Sequence, residues 1–194
     1  MKIGILALQG AFIEHQYMLE KLGVETIQVR LAENLLGLDG LIIPGGESTT
    51  IGKLAVDFHI LEDLRQFGKE HPVWGTCAGA IFLSKDIHRN QPLLGLMDIT
   101  TARNAFGRQV DSFETALDVP VLAKNGTKTT PFPAVFIRAP LIESVGEGVE
   151  ILATLPENRI VAAREGQWLV TSFHPELTND DRFHRYFMEM ISSK

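Results

Sequence analysis

Hydrophobic residues along this chain fall in short blocks, and their spacing changes about halfway. Residues 2–8 form an apolar run, and residues 11–22 carry apolar side chains at helical spacing up to Gly23. Residues 24–30 are rich in β-formers, 40–43 form another short apolar run, and 54–67 return to helical spacing through Leu54, Phe58, Leu61 and Leu64. Pro72-Val73-Trp74 then predicts a buried strand, and Ala80-Ile81-Phe82-Leu83 the first turns of an apolar helix. Strands alternating with helices predict right-handed βαβ units, hence a three-layer α/β fold with a central, mostly parallel sheet covered on both faces.

Beyond about residue 98 the blocks shorten and are broken by Gly, Pro and Asn, as in residues 134–137, 150–153, 160–163 and 168–173. That texture predicts an antiparallel or mixed extension of the sheet. Residues 124–131 read as a polar, flexible loop. The chain closes with a predicted helix in which Phe183, Tyr186, Phe187, Met190 and Ile191 recur on one face, with Thr178 and Asp181 resembling a capping box at its start.

Composition narrows the classes. At 194 residues and 45% hydrophobic content the chain suits one domain spanning residues 1–194. The net charge of −6, with no basic run, argues against nucleic acid as a partner. A single cysteine excludes an internal disulfide and fits a reducing compartment. The apolar N-terminus leads into Gln9-Gly10 rather than a cleavage site, and no run approaches the roughly 20 apolar residues that span a bilayer. The expectation is a soluble, cytoplasmic protein with no membrane partner.

That one cysteine lies in Gly75-Thr76-Cys77-Ala78-Gly79, a G-x-C-x-G turn between predicted strand and predicted helix. Such an elbow exposes its central side chain at the end of a sheet, and the flanking glycines allow strand and helix to approach closely. A helix N-terminus there favours negative charge on the sulfur. An inert, buried cysteine is the alternative.

A nucleophilic thiol needs a base, and the base needs a group that orients it. Of six histidines, His59, His71, His88 and His184 sit in polar contexts and read as solvated, while His15 lies on the first predicted helix. His174 directly follows a strand and precedes Pro175, which favours an extended conformation and places Glu176 on the same side as the ring. Cys77, His174 and Glu176 thereby form a candidate triad. Pro44-Gly45-Gly46-Glu47 ends a buried run with two glycines, so backbone amides there, with that of Ala78, are candidate oxyanion donors. A phosphate loop is the rival, opposed by the Glu47 charge and by the lack of a G-x-x-x-x-G-K-[ST] string.

Elbow and triad together resemble the class I glutamine amidotransferase family, which implies a flavodoxin-like fold. Leu8-Gln9-Gly10, Pro44–Thr50, Arg103-Asn104-Ala105-Phe106-Gly107-Arg108-Gln109, Phe136-Ile137-Arg138-Ala139-Pro140 and Phe173–Thr178 further resemble the glutaminase subunits of pyridoxal 5′-phosphate synthases. Ala105 stands where that pattern has serine.

The resemblance implies that Cys77 attacks L-glutamine and that ammonia passes to a separate (β/α)₈-barrel synthase subunit. It implies no metal and no cofactor for this chain. It places Gly46, Glu47, Ser48, Arg103, Ile137 and Arg138 at the glutamine site, with Gly46 and Ala78 supplying the oxyanion hole. It also implies a switch at Gln9 and Gly10, with His15 at or near the partner interface. A γ-glutamyl hydrolase would need elbow and triad but not the arginine-bearing strings. A non-catalytic regulatory subunit would lack the triad.

Overall fold

A computed structural model of the chain describes residues 1–103, 112–123 and 130–193. The first half builds β1 (Lys2–Leu6), α1 (Phe12–Lys21), β2 (Glu25–Val29), β3 (Gly40–Ile43), α2 (Ser48–Asp57), α3 (Leu61–Glu70), β4 (Val73–Thr76) and α4 (Ala78–Leu83). The second half adds β5 (Ser84–Asp86), β6 (Met97–Ala102), β7 (Ser112–Leu117), β8 (Phe132–Ile137), β9 (Leu141–Val145), β10 (Glu150–Leu155), β11 (Arg159–Glu165), β12 (Trp168–Thr171) and α5 (Arg182–Ser192). Most of the loop expected at 124–131, and the Asn104–Gln109 string, lie outside the described residues.

The main sheet runs β2-β1-β3-β4-β12-β11-β9-β6-β5, with β10 also paired to β11. From β2 to β12 every pairing is parallel, and from β12 to β6 every pairing is antiparallel. The mixed C-terminal texture thus corresponds to strands that extend the parallel half, plus a separate β7–β8 hairpin.

Side chains alternate across the sheet, as the period of two requires. Ile3, Ile5, Ile42, Trp74 and Leu169 face a core shared with Leu19 of α1, Phe183 and Phe187 of α5 and the β7–β8 hairpin. Leu6, Leu41, Ile43, Val73 and Val170 face the opposite core, filled by Ile51 and Ala55 of α2, Leu64 and Phe67 of α3 and Phe82 of α4. Both faces are therefore covered, and the strands read as near-continuous apolar runs because both sides are buried.

Two local expectations are corrected. The helical stretch 54–67 is two helices, parted at Phe58-His59-Ile60, where His59 takes a left-handed φ of 55°. Phe58 is exposed and Leu54 and Leu61 are half-buried; Leu64 is buried as expected, and Ile51, Ala55 and Ile60 complete the buried stripe. At the last helix Thr178 and Asp181 do not form a capping box. Asp181 is the N-cap without a side-chain capping bond and pairs with Arg185, while the Thr178 hydroxyl donates to the Pro175 carbonyl.

One pairing sets where the candidate triad can assemble. β4 and β12 are parallel neighbours with Thr76 opposite Thr171, so the residues after each strand emerge together at the same sheet edge. Those residues are Cys77 and the turn leading to His174. Among the described residues no helix is long and apolar enough to cross a membrane.

Behind that edge lies an aromatic cluster in which Phe183 packs edge-on against Phe132 and Phe173, with centroids 4.9 and 5.4 Å away. Phe183→Ala should lower unfolding free energy by about 3–5 kcal/mol, the usual cost of emptying such a position. A urea titration checks this, and a loss near zero would mean the cluster does not hold α5 to the sheet.

Candidate active site

The backbone at Cys77 is strained: φ is 48° and ψ −104°, in a region that side chains with a β-carbon avoid. Its amide donates to the Thr171 carbonyl at 2.8 Å, which ties the turn to the neighbouring strand. The flanking glycines explain how the turn fits. A β-carbon on Gly75 would lie 2.8 Å from the Ala80 nitrogen, and one on Gly79 would overlap the Ile43 carbonyl. Strand and helix can close around Cys77 only because neither position carries a side chain.

The elbow delivers the sulfur beside the His174 ring, where on one side the Cys77 side chain acts to raise the ring's pKa. On the other, His174 Nδ1 lies 2.7 Å from Glu176 Oε1. His174 and Glu176 are both buried. The geometry differs from a simple extended pair: His174 (φ −108°, ψ 86°) caps a short 3₁₀ turn, Pro175–Leu177, and that turn swings Glu176 back to the ring. The His174 amide is held by the Val135 carbonyl of β8 at 2.8 Å, which fixes the ring's base.

Burial disfavours charge on His174, but the neighbouring Cys77 side chain and the hydrogen-bonded Glu176 carboxylate raise its pKa to about 10. The ring therefore holds a proton at neutral pH, beside the sulfur.

A cleft of about 150 Å³ opens over the sulfur. Gly46, Glu47, Ser48, Cys77 and Ala78 line one part, Ile81, Arg103 and Arg138 the rest. It is smaller than the roughly 300–1,000 Å³ of sites for drug-sized ligands and suits a single small substrate. Glu47 is the N-cap of α2, accepting from the Thr50 amide at 3.2 Å, and it forms an ion pair with Arg103. The Thr49 hydroxyl first, then the Thr50 amide and the Arg103 charge, hold its carboxyl below the ordinary range. Arg138 has a left-handed φ of 45° and is exposed at the cleft mouth.

Ile137 reaches the site through its backbone: its carbonyl lies 3.8 Å from Cys77 Sγ, while its side chain is exposed rather than part of the lining. Gly45, which the sequence reading did not single out from its neighbour, sits against the triad. A β-carbon there would fall 2.9 Å from His174 Nδ1 and 3.3 Å from the Cys77 β-carbon.

The glycine loop is tied to the turn after β1. Gln9 Oε1 accepts from the Glu47 amide at 2.7 Å, and the Ala11 amide donates to the Gly45 carbonyl at 2.9 Å. Gln9 and Gly10 are half-buried.

His15 departs from expectation. Its ring is wholly buried behind Glu176, 3.4 Å from Oε2, so the side chain does not reach a surface where a partner could meet it. His184, expected to be solvated, is buried as well and contacts His15 at 3.0 Å. The available signal for His184 was its place beside Phe183 and one helical turn before Phe187, inside the apolar stripe. Among the described residues no group of three or more His, Cys, Asp or Glu side chains could hold a metal ion.

Residues 5–193 match the SNO glutamine amidotransferase family. The chain is 62% identical to pyridoxal 5′-phosphate synthase subunit PdxT of Herpetosiphon aurantiacus, covering 97% of this chain and 99% of that one. It is 59% identical to the PdxT of a Dehalococcoides mccartyi strain, covering 100% and 98%. A solved glutamine amidotransferase superposes with TM-score 0.90 at 50% identity, over 98% of each chain. A putative GMP synthase subunit from Thermoplasma acidophilum (TM-score 0.72, 19% identity, covering 100% of this chain and 94% of that one) shares the fold.

The charge on His174 can be read directly. In a ring-resonance NMR titration His174 should stay protonated through pH 8, and Glu176→Gln should bring its transition to lower pH, because the substitution removes a group that raises the pKa. A transition near pH 6.5 in the unsubstituted protein would contradict the charge pair.

Proposed function

The chain belongs to the SNO glutamine amidotransferase family, and we propose that its single domain, residues 1–194, hydrolyses L-glutamine to L-glutamate and ammonia on Cys77, supplying the ammonia for pyridoxal 5′-phosphate synthesis. The observation that carries the reading is the cleft itself: a strained thiol, a charged imidazole and an orienting carboxylate in line beneath space for one amino acid.

The chemistry follows from those positions. Sγ of Cys77 attacks the side-chain amide carbon of glutamine, and the carbonyl π pair moves to oxygen. The amides of Gly46 and Ala78 are the proposed donors to that oxyanion; one such donor is worth about 2.7–4 kcal/mol in the transition state. The tetrahedral intermediate collapses, the C–N bond breaks, and His174 gives its proton to the departing nitrogen, so ammonia leaves neutral. Water then adds to the γ-glutamyl thioester while His174 takes its proton, and glutamate departs as Sγ is restored. Glu176 keeps the ring oriented and stabilises its charge throughout, without itself carrying the proton.

Substrate recognition is assigned to the charged wall of the cleft. Glu47 suits the substrate ammonium, and Arg103 and Arg138 suit its carboxylate through paired N–H donors. Ser48 and the Ile137 carbonyl complete the proposed site. A γ-glutamyl hydrolase is not favoured, since the full-length relatives at 62% and 59% identity are PdxT subunits.

The partner is proposed to be the (β/α)₈-barrel synthase subunit, in the cytoplasm, with Gln9 and Gly10 at or near the contact. What supports this is the pair of bonds from Gln9 and Ala11 to the Gly45–Glu47 loop: a partner that moves the turn after β1 moves the backbone beside Cys77.

Ammonia release from glutamine should rise when the synthase subunit is added, and Cys77→Ala should cut it by about 10⁴-fold or more with or without that subunit. Undiminished hydrolysis by Cys77→Ala would end the nucleophile assignment. Gln9→Ala should bind the synthase subunit yet lose most of the stimulation. A variant stimulated as strongly as the unsubstituted protein would remove Gln9 from the switch.

A further inference from the structure

Glu176 has two faces, and the mechanism uses one. Oε1 meets His174 Nδ1 at 2.7 Å, whereas Oε2 is buried without a hydrogen bond of ordinary geometry among the described residues and faces His15 Nε2 at 3.4 Å. That nitrogen is also 3.2 Å from the hydroxyl of Thr76, the residue before the nucleophile. On the far side of the ring, His15 Nδ1 is 3.0 Å from His184 Nε2. Trp74 stands edge-on to both imidazoles, at 5.5 and 4.9 Å.

Resting on the triad reading above, we propose that His15 is a positioning residue for Glu176: a neutral imidazole whose Nε2–H steadies the carboxylate behind His174, with His184 setting its tautomer.

Two tautomer assignments are conceivable for this chain of rings, and they differ in cost. With the proton on His15 Nε2, an N–H points between the Thr76 hydroxyl and the Glu176 carboxylate, and Nδ1 accepts from His184 Nε2–H. His184 Nδ1, which has no hydrogen-bond partner among the described residues, is then a bare acceptor. With the opposite assignment a lone pair on His15 Nε2 would face a carboxylate oxygen, and His184 Nδ1 would be a buried N–H with no acceptor. Orphaned buried N–H groups are the rarer and costlier kind. Both penalties fall on the same alternative, so the first assignment holds.

Neutrality completes the device. Burial first, and beside it the charge of His174, pushes the His15 pKa well below its ordinary value, and burial brings His184 to about 3 despite the nearby Asp181, so both rings are uncharged near neutral pH. A cation in this place would pair with Glu176 and weaken the support that the carboxylate gives to charged His174. A neutral donor orients the carboxylate and leaves its charge available. The parts come from four elements: α1 holds His15, α5 His184, β4 Thr76, and the 3₁₀ turn Glu176.

The test is glutamine hydrolysis in complex with the synthase subunit, with kcat and KM measured separately. His15→Leu should lower kcat about tenfold with KM for glutamine unchanged. His15→Gln, whose amide N–H can take the place of Nε2–H, should restore most of that loss. A His15→Leu variant as fast as the unsubstituted protein, a change confined to KM, or a Gln variant no better than Leu would each overturn the proposal. If His15→Leu does not fold, ring-nitrogen NMR of the unsubstituted protein decides it: a proton on Nε2 of both His15 and His184 supports the assignment, and a proton on His15 Nδ1 overturns it. Cys77→Ala run alongside separates the two ideas, because hydrolysis surviving that substitution would sink the triad reading whatever His15 does.

Discussion

The parallel pairing of β4 with β12 is the constraint on which the site depends. Cys77 and His174 are far apart in sequence, and neither helix packing nor local turn chemistry could bring them together. Register does so: Thr76 opposite Thr171 brings both chain exits to one edge, and the Cys77 amide bonded to the Thr171 carbonyl locks the strained turn onto its neighbour. A slip of one residue would turn the alternating side chains to the wrong faces. Two apolar cores, one on each side of these strands, oppose that slip.

A strained backbone persists only where its surroundings over-determine it, at a typical cost of about 1–3 kcal/mol per residue. Around Cys77 the surroundings are backbone atoms brought unusually near: Gly75 against Gly79 and Ala80, and Gly79 against the Ile43 carbonyl. The same economy of side chains recurs across the cleft, where Gly45 leaves space for the His174 ring. The sulfur and the imidazole meet because the chain between and around them has been kept bare.

Much of this was legible in the sequence, and the parts that were not share a physical reason. The strand-helix alternation, the elbow and the His-Pro-Glu string are local patterns, and they gave β1 to β4 of the parallel half and the triad candidates. Most of the cleft lining came from the family resemblance, while the parallel place of β12 and the part Ile81 takes in the lining depend on contacts distant in sequence. The two-helix break at His59 escaped because a left-handed turn at a non-glycine residue leaves no periodic mark. His15 and His184 were misplaced because a histidine's burial is decided by what packs over it: α1 and α5 meet behind β4, a contact no window of sequence contains. Glu176 was found beside His174 by assuming an extended chain, whereas a 3₁₀ turn provides the contact. Residue spacing could indicate that the two groups meet but not which backbone path joins them.

The triad's charges also explain why the interior behind it is built from imidazoles and not from lysine or arginine. Removing two ions from water costs several kcal/mol each, and their attraction offsets this only when the remaining lone pairs are met. Glu176 is buried with one oxygen committed to His174, so its other oxygen needs a donor. A formal cation would satisfy it too well, drawing the carboxylate away from the ring it must support. Two histidines kept uncharged by their burial give a dipole in place of a charge. That arrangement steadies the carboxylate while leaving its field directed at His174, and through His174 at the sulfur.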